Sequence, residues 1–330
     1  MSSVTSVLSK REMSGSDTST VTTMTARVDG KSPLVSVGLP VYNGENFVRE
    51  AIQCLLDQTF SGWELVICDN CSTDDTVAIC EEFAKCDRRI RVFRNPRNMG
   101  VSYNYNEVFR RARGKYFKWM SHDDLFAPEF IEECVQELET DDSLVLVFPK
   151  MCHVDGHGHV IRGQASELSV MGMTQESRGI QLMALAARSM DFIWLAYGLI
   201  RTDVVRECGA LGLHAGDDQV LLFKVALRGR IKQIEREMFY RREHAEASTC
   251  KRGESTVRQR AKFAYADDNR RLVLPWCRLL KEHVICVWNI RRPLTSRMRC
   301  LRAVLRRFLA AWKFFVEEAF HSPVDALRTR

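Results

Sequence analysis

The amino-acid sequence predicts an α/β fold built on a doubly wound, mainly parallel sheet. Short apolar strands alternate with amphipathic helices in three successive units of the N-terminal half. A polar cluster follows each strand, which places all of these clusters at one edge of a parallel sheet. The 330 residues suffice for one catalytic α/β domain and an appendage, at roughly 150 residues per domain.

The three units follow one another in order. Leu34–Leu39 is the first predicted strand, and apolar side chains recur at a helical period after it. Leu65–Cys68 is the second, and its helix is predicted to begin at the capping-box-like Ser72–Asp75. Ile90–Phe93 is the third, and Gly114 ends the helix that follows.

A fourth apolar run, Lys115–Met120, leads into two adjacent aspartates, Asp123 and Asp124, and a further helix is predicted from Pro128. Open α/β sheets bind ligands at the carboxyl ends of their strands. Adjacent carboxylates repel each other, so a positive charge is expected beside them, and a divalent cation carrying a diphosphate meets that need. The alternative interpretation is that both aspartates only cap the next helix.

The second half contains another acidic pair, Asp217 and Asp218, ahead of a strongly apolar helix that Gly229 stops. Two strands, Ile231–Ile234 and Met238–Tyr240, are predicted after that helix. A short apolar run, residues 192–200, is predicted to be one more buried strand.

Four segments together resemble the family 2 glycosyltransferases. In chain order they are Val35–Gly44, Cys68–Asp74, Asn98–Gly100 and His122–Asp124. The resemblance spans residues 33–149, with a weaker continuation to residue 244. It implies the nucleotide-diphospho-sugar transferase fold usually called GT-A, which is Rossmann-like, and inversion at the anomeric carbon by single displacement.

The resemblance also implies residues that bind the donor. In that family an early Pro-x-Tyr turn cradles the nucleobase, which implicates Pro40 and Tyr42. The aspartate after the second strand accepts a hydrogen bond from the base, which implicates Asp69. Asn98 belongs to the third resembling segment. Arg97 beside it is expected either to contact a phosphate through its planar guanidinium or to be an exposed loop cation.

The later aspartates are assigned in the same way. The first of the pair contacts the ribose in such enzymes, hence Asp123, and the second binds a divalent cation, Mn²⁺ or Mg²⁺, hence Asp124. Many relatives carry a further aspartate two residues earlier, where this chain has Ser121. Asp124 is therefore the carboxylate of this segment that is expected to bind the metal. His244 is expected either to approach the metal or diphosphate, where imidazole suits Mn²⁺ better than Mg²⁺, or to be an ordinary surface histidine.

The acceptor hydroxyl needs a general base opposite the leaving group. By resemblance, Asp218 aligns with that base, and Asp217 is the substitute if the alignment is one residue off. The alternative is that both acids only stabilise the start of their helix through its dipole.

Composition divides the chain further. Residues 1–32 are rich in Ser and Thr and are expected to be a disordered tail. Residues 33–250 are expected to form the catalytic domain, with a donor half at 33–150 and an acceptor half at 151–250. Residues 251–330 are expected to be a basic helical extension. The twelve cysteines lack metal-ligand spacing, and we expect reduced thiols in a cytosolic setting.

The extension includes a predicted helix at 256–274 and an amphipathic one at 295–320, flanked by arginines. The latter helix either docks on the catalytic domain, which we favour, or contacts an anionic membrane surface peripherally. No segment reaches about 18 uninterrupted apolar residues, so no transmembrane helix is expected. A net charge of +6 does not indicate a nucleic-acid partner. The protein is therefore expected in the cytoplasm, or peripherally at the inner face of the membrane.

The sequence thus predicts a metal-dependent glycosyltransferase. It would move a sugar from a nucleotide-diphospho-sugar to a hydroxyl of a glycan, lipid-linked or other acceptor, in polysaccharide or other glycoconjugate synthesis. The alternative is an inactive nucleotide-sugar-binding scaffold of a glycan assembly complex. A nucleotidyltransferase is disfavoured, because the Gly-rich, basic loop of that class is missing after the first strand.

Overall fold

The computed structural model describes residues 32–163, 168–188, 190–212, 216–244, 275–313 and 316. The N-terminal tail, the predicted helix at 256–274 and the end of the predicted helix at 295–320 lie outside the described residues.

A single mixed sheet of nine strands organises the described part of the chain, in the order β3-β2-β1-β4-β8-β6-β9-β5, with β7 paired to β6. The strands are β1 (Val35–Val41), β2 (Trp63–Asp69), β3 (Ile90–Arg94), β4 (Tyr116–Trp119), β5 (Leu125–Phe126), β6 (Leu144–Val154), β7 (Val160–Gly163), β8 (Leu199–Arg201) and β9 (Arg230–Arg242). The first four pair in parallel, so their carboxyl ends meet at one edge. The α/β fold with a mostly parallel sheet is confirmed.

Nine α-helices connect and cover these strands in the described residues. They are α1 (Val48–Leu56), α2 (Thr76–Cys86), α3 (Val101–Arg110), α4 (Phe130–Thr140), α5 (Gln175–Arg188), α6 (Thr202–Cys208), α7 (Asp217–Arg228), α8 (Pro275–Trp288) and α9 (Leu294–Ala310). A 3-10 helix, Met190–Tyr197, precedes β8.

Two apolar clusters lie on the two faces of the sheet, as a doubly wound fold requires. Successive residues of β2 alternate between them: Leu65 and Ile67 join the cluster formed with α1 and α4. Val66 and Cys68 join the other cluster, which takes in α3, α5, α7, α8 and α9. Because strand side chains alternate, the fully buried β2 contributes to both layers.

Three predicted elements differ in the structure. The apolar run 192–200 is mostly the 3-10 helix, with only Leu199–Arg201 as strand, since a short apolar run fits either element. The two strands predicted at 231–240 are one continuous strand, β9, whose pairing with β6 shifts register near Lys150. The helix predicted from Ser72 begins at Thr76 instead, because Ser72 is engaged by the neighbouring loops.

Candidate active site

The loops after β1 and β2 are pinned to each other at the carboxyl edge of the sheet. Asn43 has φ of +49°, a left-handed conformation that asparagine tolerates, and its backbone N–H donates to Ser72 Oγ at 2.9 Å. Asn43 Oδ1 accepts the N–H of Thr73 at 3.0 Å, and Gly44 N–H donates to Thr76 Oγ1 at 2.8 Å. A Cβ on Gly44 would lie 2.6 Å from the His122 ring, so glycine lets the loop after β4 approach closely.

Asp69 ends β2 and is fully buried. Its carboxylate accepts the N–H of Ser72 at 3.0 Å and pairs with Arg94 Nε at 3.3 Å. The predicted base-reading residue therefore also holds the loop after its own strand. Of the predicted base cradle, Tyr42 is 43% exposed at this edge, whereas Pro40 is buried within β1 opposite Cys68.

Asn98 joins the edge through an amide network. Its Oδ1 accepts from Asn70 Nδ2 at 2.9 Å and from Gly100 N–H at 3.0 Å. Gly100 has φ of +87°, a conformation that favours glycine. Arg97 lies exposed in the same loop.

The loop after β4 brings Asp123 to the end of β9. His244 Nε2 lies 3.0 Å from Asp123 Oδ2, and Ser121 Oγ donates to the other carboxylate oxygen. Burial acts to raise the pKa of Asp123, but the electrostatic interaction with His122 and the hydrogen bonds with Ser121 and His244 outweigh it, so the pKa lies below its ordinary value. Asp123 is therefore an anion beside an imidazole.

Asp124 faces the interior instead. It is 5% exposed, and its Oδ1 accepts the backbone N–H of Arg242 at 3.1 Å. Burial, followed by the negative charge of Asp123, raises the pKa of Asp124 well above its ordinary value. Arg242 spans the pair, since its Nε donates to the Asp123 carbonyl oxygen at 3.0 Å and its Nη2 pairs with Glu50.

The two aspartates of the second acidic pair also differ in burial and in hydrogen-bond partners. Asp217 is 9% exposed, and its Oδ2 accepts from Ser102 Oγ of α3 at 2.7 Å. Asp218 is more exposed, and its Oδ1 accepts the N–H of Gln219 at 2.8 Å. The first turn of α7 thus ties Asp217 to α3, whereas Asp218 is only partly buried. Residues 213–215, just before this turn, lie outside the described residues.

Two buried tyrosine hydroxyls contact each other near the end of β4. Tyr105 Oη and Tyr197 Oη lie 3.0 Å apart. Burial raises the pKa of Tyr105, against the lowering effect of its hydrogen bond with Tyr197, and the negative charges of Asp123, Asp124 and Asp218 raise it further. The side chain of Lys118 is fully buried, and its Nζ donates to the backbone carbonyl oxygen of Tyr197 at 2.5 Å, which helps to position Tyr197.

The donor set at this edge fits a divalent cation. In the described residues, no three His, Cys, Asp or Glu side chains are grouped closely enough to hold a metal ion by themselves. A cation between Asp123 and His244 would replace the hydrogen bond of the carboxylate with Nε2, with one carboxylate and one neutral imidazole as its protein donors. Mg²⁺ and Mn²⁺ at phosphate sites usually take only one or two protein carboxylates and complete their coordination with phosphate oxygens and water.

Several residues of the site carry no clear sequence signal. Ser102 and Arg242 act through contacts with partners more than 100 positions away, which no local pattern predicts. Lys118 had a usable signal, a single charge inside an otherwise apolar strand, which indicates a buried amine with a specific partner.

Comparison with known proteins identifies the class. A model of Glycosyl transferase family 2 matches residues 36–207, more than half of the chain, so the chain belongs to this family. It is 34% identical over 129 residues to the chondroitin synthase of Escherichia coli, covering 39% of this chain and 19% of that relative. It is 28% identical over 287 residues to EpsE of Bacillus subtilis, whose assignment as a glycosyltransferase is itself provisional, covering 84% of this chain and 91% of EpsE.

The chain spans less than half the length of the first curated relatives it matches. Among solved structures it is similar to S. aureus TarS residues 1–349 in complex with UDP-GlcNAc, with a TM-score of 0.63 at 18% identity over 84% of this chain and 72% of that one. It is also similar to the mannosyltransferase PcManGT of Pyrobaculum calidifontis in complex with GDP-Man and Mn²⁺, with a TM-score of 0.52 at 16% identity over 91% and 79%. These likenesses establish the fold, which is that of GT-A glycosyltransferases.

Proposed function

We propose that this protein transfers a sugar from a nucleotide-diphospho-sugar to a hydroxyl acceptor, with inversion and with help from a divalent cation. The observation that carries the proposal is the contact between Asp123 and His244, Oδ2 to Nε2 at 3.0 Å, beside buried Asp124. The predicted nucleotide-binding side chains lie at the same sheet edge, where open α/β folds bind ligands.

In this proposal the donor nucleotide lies over the ends of β1 and β2. Exposed Tyr42 contacts the base, and Asp69 accepts a hydrogen bond from it while keeping its bond to Ser72. Asn98 and Arg97, in the loop after β3, face the donor from the side. Buried Pro40 shapes the turn rather than touching the base with its ring.

We make a separate proposal about which of the two aspartates, Asp123 or Asp124, binds the cation. The resemblance assigns the cation to Asp124 and the ribose to Asp123, and that assignment stays a prediction. The geometry favours the opposite division, because Asp123 is ionised beside His244 whereas Asp124 is buried and bonded to the backbone of Arg242. A bound cation would supply Lewis-acid stabilisation of the charge that develops on the leaving diphosphate.

Asp218 is the proposed general base for the acceptor hydroxyl. Asp218 is less buried than Asp217 at the first turn of α7, and the carboxylate of Asp217 accepts a hydrogen bond from Ser102. A base in this position takes a proton from a hydroxyl that attacks the face of the sugar opposite the diphosphate, which produces inversion. The acceptor class we propose is a hydroxyl of a glycan, free or lipid-linked, because the similar chondroitin synthase is named for polysaccharide synthesis.

The competing function is a nucleotide-sugar-binding scaffold without transfer. One experiment separates the two. Thermal unfolding would be followed with UDP, GDP and pyrophosphate, each with and without Mn²⁺, and the best nucleotide would then be supplied as its sugar conjugates with glycan acceptors. A ligand at 100 times its Kd raises stability by about 2.7 kcal/mol, which is readily detected. Nucleotide stabilisation with sugar transfer supports the enzyme, and stabilisation without transfer across acceptors supports the scaffold.

A further inference from the structure

Helix α9 has two apolar faces, and one of them is not covered by the described residues. The inner face is buried against α5 and α8 through Cys300, Val304 and Phe308. This packing is the docking expected from the sequence. The helix is nevertheless apolar along a second, adjacent face as well, which docking alone does not require.

The outer face carries a second stripe in which neighbours stand three, four or seven residues apart, so they share one side of the helix. Its members are Leu294, Met298, Leu305 and Leu309, continued by Trp312 in the helical residues that follow. Leu294, Leu309 and Trp312 are 62%, 69% and 57% exposed. Single exposed apolar residues are ordinary, but a continuous stripe marks an interaction surface.

The charge around this stripe has one sign. Residues 291–313 contain seven arginines and one lysine, and no aspartate or glutamate. Arg302 and Arg306 are exposed and four residues apart, each next to the stripe on the helix surface. Arg299 is paired with Glu176, and Arg307 is turned inward over Trp276, so these two are engaged elsewhere.

We propose that the outer face of α9 binds the surface of an anionic lipid bilayer, with the helix lying in the plane of the interface. Leucine, methionine and tryptophan would enter the boundary between headgroups and acyl chains, and Arg302 and Arg306 would reach the anionic headgroups. A second copy of this chain fits poorly, because a two-fold contact would bring two faces of the same positive charge together. In the described residues no helix is long and apolar enough to cross a membrane.

The test is flotation of the full chain with vesicles, in two compositions: phosphatidylcholine alone, and phosphatidylcholine with about 30% phosphatidylglycerol at 0.1 M salt, where charges act over about 10 Å. We expect binding to the anionic vesicles and at least tenfold less to the neutral ones. Leu309→Gln with Trp312→Gln should lower binding to anionic vesicles by at least tenfold. Arg302→Gln with Arg306→Gln should do so by about tenfold or more, and high salt should have a similar effect on the wild type.

Matched controls come from exposed positions elsewhere. Val160→Gln with Ile161→Gln removes two exposed apolar side chains of β7, and Arg188→Gln with Arg206→Gln removes two exposed arginines. Both controls should bind anionic vesicles like the wild type, and all variants should keep the wild-type melting temperature. The proposal is overturned if the wild type binds neither vesicle, or if the controls lose as much binding as the α9 variants. It is also overturned if the wild type is a dimer in solution that Leu309→Gln with Trp312→Gln dissociates while vesicle binding is absent.

Discussion

The carboxylate of Asp123 and the imidazole of His244 lie 3.0 Å apart, Oδ2 to Nε2, although 121 positions separate them in the chain. Arg242 helps to position both residues of this contact. Its guanidinium donates to the carbonyl oxygen of Asp123 and its backbone N–H donates to the carboxylate of Asp124. In the chain it lies two residues before His244, so the same strand end positions the imidazole. The ring of Phe47 lies 4.6 Å from that of His244. Because neighbours fix both side chains, little reorganisation is needed for them to bind an ion together.

The first prediction concerns the cation. Asp123→Asn and His244→Gln should each lower the affinity for nucleoside diphosphate in the presence of Mn²⁺ by tenfold or more, because each removes one protein donor. Without Mn²⁺ the same variants should bind nearly as the wild type does. Titration calorimetry with UDP or GDP, with and without Mn²⁺, measures both affinities.

Asp124→Asn is the matched control, because the amide oxygen can still accept the N–H of Arg242. We therefore expect its affinity for nucleoside diphosphate in the presence of Mn²⁺ to stay within about threefold of the wild type, which is a difference in binding free energy of about 0.6 kcal/mol. If Asp124→Asn abolishes the Mn²⁺ effect while Asp123→Asn keeps it, the cation belongs to Asp124, as the family resemblance implies.

The second prediction concerns Asp69. Asp69→Asn keeps an acceptor for Ser72 but removes the charge that would meet the base, so nucleoside diphosphate should bind more weakly by about 1.5–3 kcal/mol. Pyrophosphate affinity should be unchanged, since it has no base. Competition binding with the two ligands measures the difference. Equal losses for both would mean that Asp69 only holds its loop against Arg94.

The parallel half of the fold could be predicted because its signals are local. The strands β1 to β4 are short apolar runs ended by polar or glycine-containing turns, and each is followed by a helix. β9 was harder, since Glu235, Arg236 and Glu237 interrupt its apolar pattern while the strand continues past a shift in its pairing with β6. The β-propensity of single residues cannot show that pairing with a neighbouring strand will keep polar residues in an extended conformation.

The candidate site was predictable only in its residue types. The sequence places acids after β2 and β4 and at the start of α7, but it does not distinguish which acid of a pair turns inward. That choice depends on distant partners: Ser102 for Asp217, and the backbone of Arg242 for Asp124. These contacts arise only when the sheet edge is assembled.

The third prediction uses the buried amine of Lys118. Burial lowers its pKa from 10.5 to about 8, while the rings of Phe126, Phe130 and Phe239 surround Nζ. Between these two values the unfolded chain binds more protons than the folded one, so stability rises with pH through this range. Relative to Lys118→Met, the wild type should gain on the order of 3 kcal/mol between pH 7 and pH 10.5.

Urea unfolding of both proteins across this pH range measures the difference. Lys115→Met is the control, because Lys115 is half-exposed, pairs with Glu139, and has a pKa raised by that hydrogen bond. Its stability difference from the wild type should stay flat up to pH 10. A flat Lys118→Met difference would mean that the aromatic rings compensate for the burial of the charged amine.

The last prediction separates an enzyme from a binding scaffold. Asp218→Asn keeps the shape of the first turn of α7 but cannot take a proton, so sugar transfer should fall by about 10²–10⁴-fold. The nucleotide and the cation do not depend on this carboxylate, so donor affinity and melting temperature should stay at the wild-type values. A coupled assay for the released nucleoside diphosphate, with calorimetry of donor binding, measures both.

Asp217 should behave in the opposite way, since it joins α7 to Ser102 of α3. Asp217→Ala and Ser102→Ala should each lower the free energy of unfolding by about 1–3 kcal/mol, and the double variant should lose less than their sum, because both remove the same hydrogen bond. Transfer by the two single variants should fall far less than in Asp218→Asn. If Asp217→Asn loses transfer and Asp218→Asn keeps it, Asp217 is the base and the alignment of this helix start is one residue off. If both variants keep transfer activity in an assay in which the wild type turns over, the two acids only stabilise the start of α7. Another group then accepts the proton of the acceptor hydroxyl.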